Sequence, residues 1–132
     1  MATGSIEEVI PLEEQSIRLS PRDPQIWSRY NRIGLVHLLQ SRTDEAILWL
    51  EKGRSANPEY PIVHALLASA YGLKGETERA AAELAEARRL APEGFFSSIA
   101  HIRTRAPSAP TFRALWETTY LAGMRKAGVP EE

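Results

Sequence analysis

Ile33-Gly34-Leu35-Val36-His37 and Leu67-Ala68-Ser69-Ala70-Tyr71 are the stretches on which the fold turns. They lie 34 positions apart (67 − 33 = 34), and each carries a small residue one place after a large aliphatic one. Working outward at the same offset, Ala46 falls on Ala80, Leu50 on Leu84, Gly53 on Ala87 and Pro58 on Pro92. A recurrence of small and apolar residues at one fixed spacing marks a repeated packing unit, buried only against its neighbours.

Within each unit the apolar residues recur at three and four positions, as one face of a helix requires. Ile26, Tyr30, Ile33 and His37 make one stripe and His64, Leu67, Ala68 and Tyr71 another, predicting helices over residues 24–40 and 61–73. Ala46, Leu50 and Gly53, then Ala80, Leu84 and Ala87, predict partner helices over 44–56 and 77–90. Ser41-Arg42-Thr43 and Gly75 read as the turns, with Thr43 as an N-cap. Pro58 and Pro92 end the second helices. Gly34 and Ala68 on first helices, with Ala46 and Ala80 on second helices, permit a close crossing that larger residues would obstruct.

A further helix is predicted over 6–19, acidic at its start (Glu7, Glu8) and basic at its end (Arg18), as the helix dipole favours. Asp23 precedes Pro24 as a helix start. After Pro92 the period breaks. A short helix over 95–105, a rigid link Ala106-Pro107-Ser108-Ala109-Pro110 and a longer helix over 111–127 follow, the last carrying Phe112, Leu115, Trp116, Tyr120 or Thr119, and Met124 or Gly123. Gly128 and Pro130 close it. An array needs an atypical end to hide its last apolar face, so this segment reads as a cap. The fold class is therefore all-α: antiparallel helix pairs stacked as a short α-solenoid with a C-terminal capping helix. The chain divides into 6–21, 24–58, 61–92 and 94–132 within one domain of 1–132.

The two units resemble the tetratricopeptide repeat. The first carries Gly34, Ala46, Leu50 and Pro58; the second carries Ala68, Tyr71, Ala80, Leu84, Ala87 and Pro92. His37 and His64 stand where that family usually has aromatics, and Gly53 where it has alanine. In that register residues 6–21 are similar to the second helix of a preceding repeat. The resemblance implies that first helices line a concave groove, here Ser28, Asn31, Leu35, Leu38, Leu39, Ala65, Ser69, Gly72 and Leu73. That groove lacks the Lys/Asn/Arg set with which some members clamp a peptide carboxylate. Its expected occupant is a protein or peptide partner, the chain's own C-terminal helix, or a second copy of the chain.

A narrower resemblance lies in Leu19-Ser20-Pro21-Arg22-Asp23-Pro24 with Trp27, and in the run Tyr120-Leu121-Ala122-Gly123-Met124-Arg125-Lys126-Ala127-Gly128-Val129-Pro130. Both are similar to the C-terminal repeat region of bacterial class III adenylate/guanylate cyclases. This implies a signalling protein whose catalytic domain lies elsewhere; repeat-containing transcription regulators share such stretches.

Chemistry is sparse. With 16 Lys+Arg against 17 Asp+Glu the chain lacks the basic excess of a nucleic-acid binder. It has no cysteine, no phosphate-cradling glycine loop and no nucleophile with an evident base. His37 and His64 read as packed, hydrogen-bonded histidines, and without Cys or paired carboxylates neither they nor His101 read as metal ligands. The stretch Glu76 to Arg89 reads as a solvated helix face, and Trp49 as an edge-of-core aromatic. No catalytic, cofactor or metal residue is assigned. With no signal segment or apolar run of membrane-spanning length, the expectation is a cytoplasmic, non-enzymatic interaction module that makes no membrane contact. The apolar edge of the first helix (Val9, Leu12, Ile17) is expected to lie uncovered and to favour a homodimer.

Overall fold

In a computed structural model, described for residues 6–132, the chain is helical throughout its regular structure. The elements are α1 (Ile6–Leu19), α2 (Ile26–Leu39), α3 (Thr43–Ala56), α4 (Pro61–Lys74), α5 (Thr77–Leu90) and α6 (Ile99–Arg103). They are followed by α7 (Pro110–Leu115), a π-helical turn (Trp116–Leu121) and α8 (Ala122–Ala127). Consecutive helices from α1 through α5 pack on one another, and α8 returns across α4 and touches α5. This is an all-α helical-repeat arrangement with its last helix laid back over the array.

The 34-residue offset is a packing period. Ile33 and Leu67, Gly34 and Ala68, Ala46 and Ala80, Leu50 and Leu84, and Gly53 and Ala87 are all buried. The reason for the small residues is direct. A Cβ placed on Gly34 would come within 2.5 Å of Leu50 Cγ on the facing helix.

The turns repeat too. Arg42 N donates to His37 O (2.8 Å) and Ser41 N to Leu38 O (3.0 Å), while Glu76 N donates to Tyr71 O (2.9 Å) and Gly75 N to Gly72 O (3.1 Å). Both sets satisfy the last carbonyls of a first helix through a left-handed residue, the Schellman arrangement. That residue is Gly75 (φ 86°) in one unit and Ser41 (φ 64°) in the other. Left-handed backbone costs a non-glycine residue about 1–2 kcal/mol, and glycine's greater freedom in the unfolded chain returns part of the gain. Ser41→Gly is therefore expected to stabilise the protein by about 0.5–1 kcal/mol, read as a rise in the urea midpoint at constant slope. A midpoint that falls would show that the serine side chain holds the turn.

Element starts depart from the sequence expectation in four places, one being the short helix expected over 95–105, which spans only Ile99–Arg103. The second helix begins at Ile26, because Asp23 Oδ1 takes Gln25 N (2.9 Å) and builds a turn through Pro24 first. Thr43 is the first helical residue of α3, and Arg42 holds the cap position without a side-chain bond. The helix expected over 111–127 starts at Pro110 and is interrupted by the π turn.

The cap is closed by backbone contacts. Ile99 N and Ala100 N at the start of α6 donate to Pro130 O (2.8 Å) and Glu131 O (3.0 Å), and Ser98 Oγ accepts from His101 N (3.0 Å). The tail thus satisfies amides that a short helix would otherwise leave open, and Val129 is buried beneath it.

Candidate docking cleft

The face expected to form the groove is divided by the C-terminal helix. Ser69 Oγ donates to the Tyr120 carbonyl (2.9 Å), and a Cβ on Gly72 would meet Gly123 O at 2.5 Å, so α8 lies on α4 with backbone nearly touching backbone. Ser69 and Gly72 are therefore covered by this helix. Leu38, Leu39 and Ala65 are interior residues, and Leu73 is half-buried against the core. Ser28, Asn31 and Leu35 remain together on an open cleft, where Ser28 Oγ also donates to Gln25 O (2.8 Å). Of the expected occupants of the groove, the chain's own C-terminal segment takes the α4 half and leaves this remainder.

The cleft has two lobes that meet over Leu35, Ile62 and Leu66. One, of about 210 Å³, runs past Asn31 and Arg32 to Trp27 and Tyr60, whose rings pack tilted at 4.8 Å. The other, of about 230 Å³, is walled by Phe95, Phe96, Ile102, Arg105, Trp116 and Tyr120. Trp116 and Tyr120 pack at 5.4 Å and both sit on the π turn, which Thr119 steadies by donating to Leu115 O (2.6 Å). A π turn inserts a residue into the helical register and rotates the side chains that follow. Here it brings two aromatics to one wall. The Arg105 guanidinium lies 3.6 Å over the Phe95 ring and donates to Phe95 O (2.6 Å). Burial lowers the Arg105 pKa and raises that of the Tyr120 hydroxyl.

Sequence reasoning missed Trp27, Tyr60, Arg105, Trp116 and Tyr120 as lining residues. The aromatic spacing of the last helix was visible, but its direction depends on the π turn, and Arg105 belongs to a link with no period.

A second polar cluster sits inside the array. His64 Nδ1 faces Glu83 Oε1 (2.7 Å) and its Nε2 faces Pro58 O (2.7 Å), while Arg54 pairs with the other oxygen of Glu83. Tyr71 Oη donates to Glu51 Oε2 (2.6 Å), and burial followed by that bond pushes its pKa up to about 12. These groups join α3, α4 and α5 and face none of the cleft. Glu83, read from sequence on a solvated face, turns inward, whereas Glu86 and Arg89 pair outside as expected.

His37 differs from His64. It is half-buried and its Nδ1 accepts from Arg42 Nε (2.8 Å), which requires a lone pair there. Burial first, then the Arg42 charge, lowers its pKa from 6.5, with Glu45 and Glu14 opposing. The unfolded chain thus takes up a proton at a pH where the folded chain does not. The contribution is present above pH 6.5 and is lost as pH falls through the lowered folded value. His37→Gln is expected to flatten the fall in urea midpoint on acidification below pH 6.5, leaving the midpoint at pH 8 within about 1 kcal/mol of the wild type. An unchanged acid slope would refute this.

Trp49 is half-buried against Tyr30 (6.0 Å) with Lys52 over its ring (4.4 Å). On α1, Val9 and Ile17 are half-buried and Leu12 is 61% exposed. Among the described residues no three His, Cys, Asp or Glu gather where a metal ion could bind, and no helix is long and apolar enough to cross a membrane. The chain matches no family model, no curated protein and no solved structure, so the fold and the cleft rest on the residues and geometry above.

Proposed function

We propose that this chain is a non-catalytic helical-repeat module of the tetratricopeptide kind that docks a segment of a partner protein in the two-lobed cleft. The observation that carries the reading is the cleft beside α8 that stays open, apolar and lined by six aromatic side chains. Apolar surface of this kind, rimmed by polar groups, marks contact sites in soluble proteins, and large rings in a cleft are the usual anchors of such contacts. The stretches similar to the C-terminal region of class III cyclases support a further reading, a regulatory segment of a cyclase-like signalling protein working in the cytoplasm. A transcription regulator's interaction segment is the alternative, and the gene sequence upstream of Met1 separates them.

The test is site-specific photo-crosslinking in the producing cell. A benzophenone side chain at Ile62, in the cleft, is expected to give a discrete polypeptide adduct that the same group at exposed Leu48 on α3 does not give. Equal adducts at both positions, or none, would remove the docking reading. Self-association is a second reading, favoured by Leu12 and Leu19, which are 61% and 76% exposed along α1. Sedimentation showing only monomer at high concentration excludes it.

A further inference from the structure

We infer that the segment received by the cleft is acidic: its apolar side chains fill the lobes and a carboxylate meets the Arg105 guanidinium and the Tyr120 hydroxyl. This rests on the docking reading above and adds the chemistry of the partner.

The first support is charge. No Asp or Glu lines either lobe, whereas Arg32 and Arg105 both do. Arg32 is answered by Glu13 (2.5 Å), which also takes Arg29, and Arg103 near the cleft is answered by Glu117 (2.8 Å). Arg105 has no carboxylate within ion-pair distance among the described residues; its partners are aromatic rings and the Phe95 carbonyl. A guanidinium held by rings keeps hydrogen-bond donors to spare and matches a carboxylate's geometry.

The second support is Tyr120. The residue is 5% exposed, and its Oη makes no hydrogen bond among the described residues. Tyr120 lines the same lobe as Arg105. Buried hydroxyls find partners. The incoming carboxylate would supply that partner, with Arg105 in the wall of the same lobe. A cation and a phenol in the lining of one apolar lobe together select an anion with an apolar body.

The shape favours a polypeptide. Two lobes joined over Leu35, Ile62 and Leu66 are open along their length, as side chains of one segment require, whereas small-molecule sites enclose their ligand.

The experiment uses the full chain. Random dodecapeptides are selected on it by display, and the enriched sequences are synthesised with a fluorophore and titrated. The expected result is enrichment of an Asp or Glu beside two apolar residues. Changing that acid to its amide in the peptide, or Arg105→Gln in the protein, is expected to weaken binding about tenfold, and Tyr120→Phe severalfold. Arg105→Glu is expected to shift selection toward basic peptides. The peptide-side change and Tyr120→Phe leave the fold untouched, so a poorly folded Arg105 variant does not blunt the test. Peptides that Leu66→Arg abolishes but that show no acidic preference would overturn the inference and leave docking standing. Peptides insensitive to Leu66→Arg, or no enrichment at all, would overturn both. Saturable binding of decanoate in the absence of any enriched peptide would assign the cleft to small carboxylic acids and overturn it as well.

Discussion

Gly123→Leu is expected to detach α8 from α4, at a cost of about 3 kcal/mol or more. No Cβ fits at this position: it would overlap Ser69 Oγ and Ser69 O and lie 2.8 Å from Ser69 C. Two of these are backbone atoms of a neighbouring helix and cannot swing aside. From the other direction, a Cβ on Gly72 would meet Gly123 O at 2.5 Å and Ala127 N at 3.2 Å. The two helices therefore cross at the closest approach their backbones permit, and a side chain between them forces α8 outward. Overpacking of a core contact costs about 1–3 kcal/mol, more where backbone must move. In addition, the Ser69–Tyr120 bond is lost, worth about 1 kcal/mol. At a few degrees per kcal/mol for a domain of this size, melting is expected to fall by about 10 °C. Limited proteolysis should cut first in the link between α6 and α7, since residues 104–109 join the displaced helix to the array. Gly123→Ala is expected to fall between the two, and Ser69→Ala to reproduce only the lost hydrogen bond. A Gly123→Leu protein that melts within about 2 °C of the wild type would refute the docked arrangement.

This contact also marks the boundary of what sequence reading reached. The array was legible because its constraint is periodic. Leu50 needs a small residue opposite it at Gly34, and Ala68 and Leu84, one period later, are likewise both buried, so each unit corroborates the other. Docking of α8 has no such echo. Gly72, Ser69 and Gly123 are three small residues among many, and the bond from Ser69 to Tyr120 spans 51 positions with nothing in the intervening sequence to announce it. The groove residues expected from the first helices consequently split. Ser28, Asn31 and Leu35 line the cleft, while Ser69 and Gly72 lie under the chain's own helix and Leu38, Leu39 and Ala65 face inward. The π turn explains the rest. An inserted residue leaves the i, i+4 spacing of Trp116 and Tyr120 unchanged in the sequence but alters the direction in which the pair points. Arg105 had no periodic context at all, and its role follows only from the rings beneath it.

Gly53→Ala is expected to cost about 3 kcal/mol in the wild-type background and to become favourable once Asn31 is shortened. The two residues face each other across α2 and α3: a Cβ on Gly53 would overlap the Asn31 carboxamide oxygen and lie 2.8 Å from its Cγ. The residue is 6% exposed, and among the described residues neither its carboxamide oxygen nor its nitrogen has a hydrogen-bond partner. One period later the same pair of positions reads Ala65 and Ala87 (31 + 34 = 65, 53 + 34 = 87), both fully buried. The second unit thus solves the same crossing with two alanines, where the first uses one large residue and one absent side chain. Gly53→Ala alone overpacks the first unit, with α3 held between α2 and α4 and unable to yield, so the upper end of the usual 1–3 kcal/mol applies. Asn31→Ala alone removes two unsatisfied polar atoms and leaves a small void, effects that oppose each other. Together the substitutions transplant the Ala65/Ala87 solution. The double variant also replaces a mid-helix glycine, worth up to about 1 kcal/mol. It is therefore expected to exceed the wild type by about 1–2 kcal/mol in urea unfolding. The coupling energy between the two sites should then be about 4–5 kcal/mol, above the roughly 3 kcal/mol that contacting residues usually show. Additive single effects would mean that the two units do not share one packing rule, and the 34-residue period would then describe the sequence without describing the crossing of its helices.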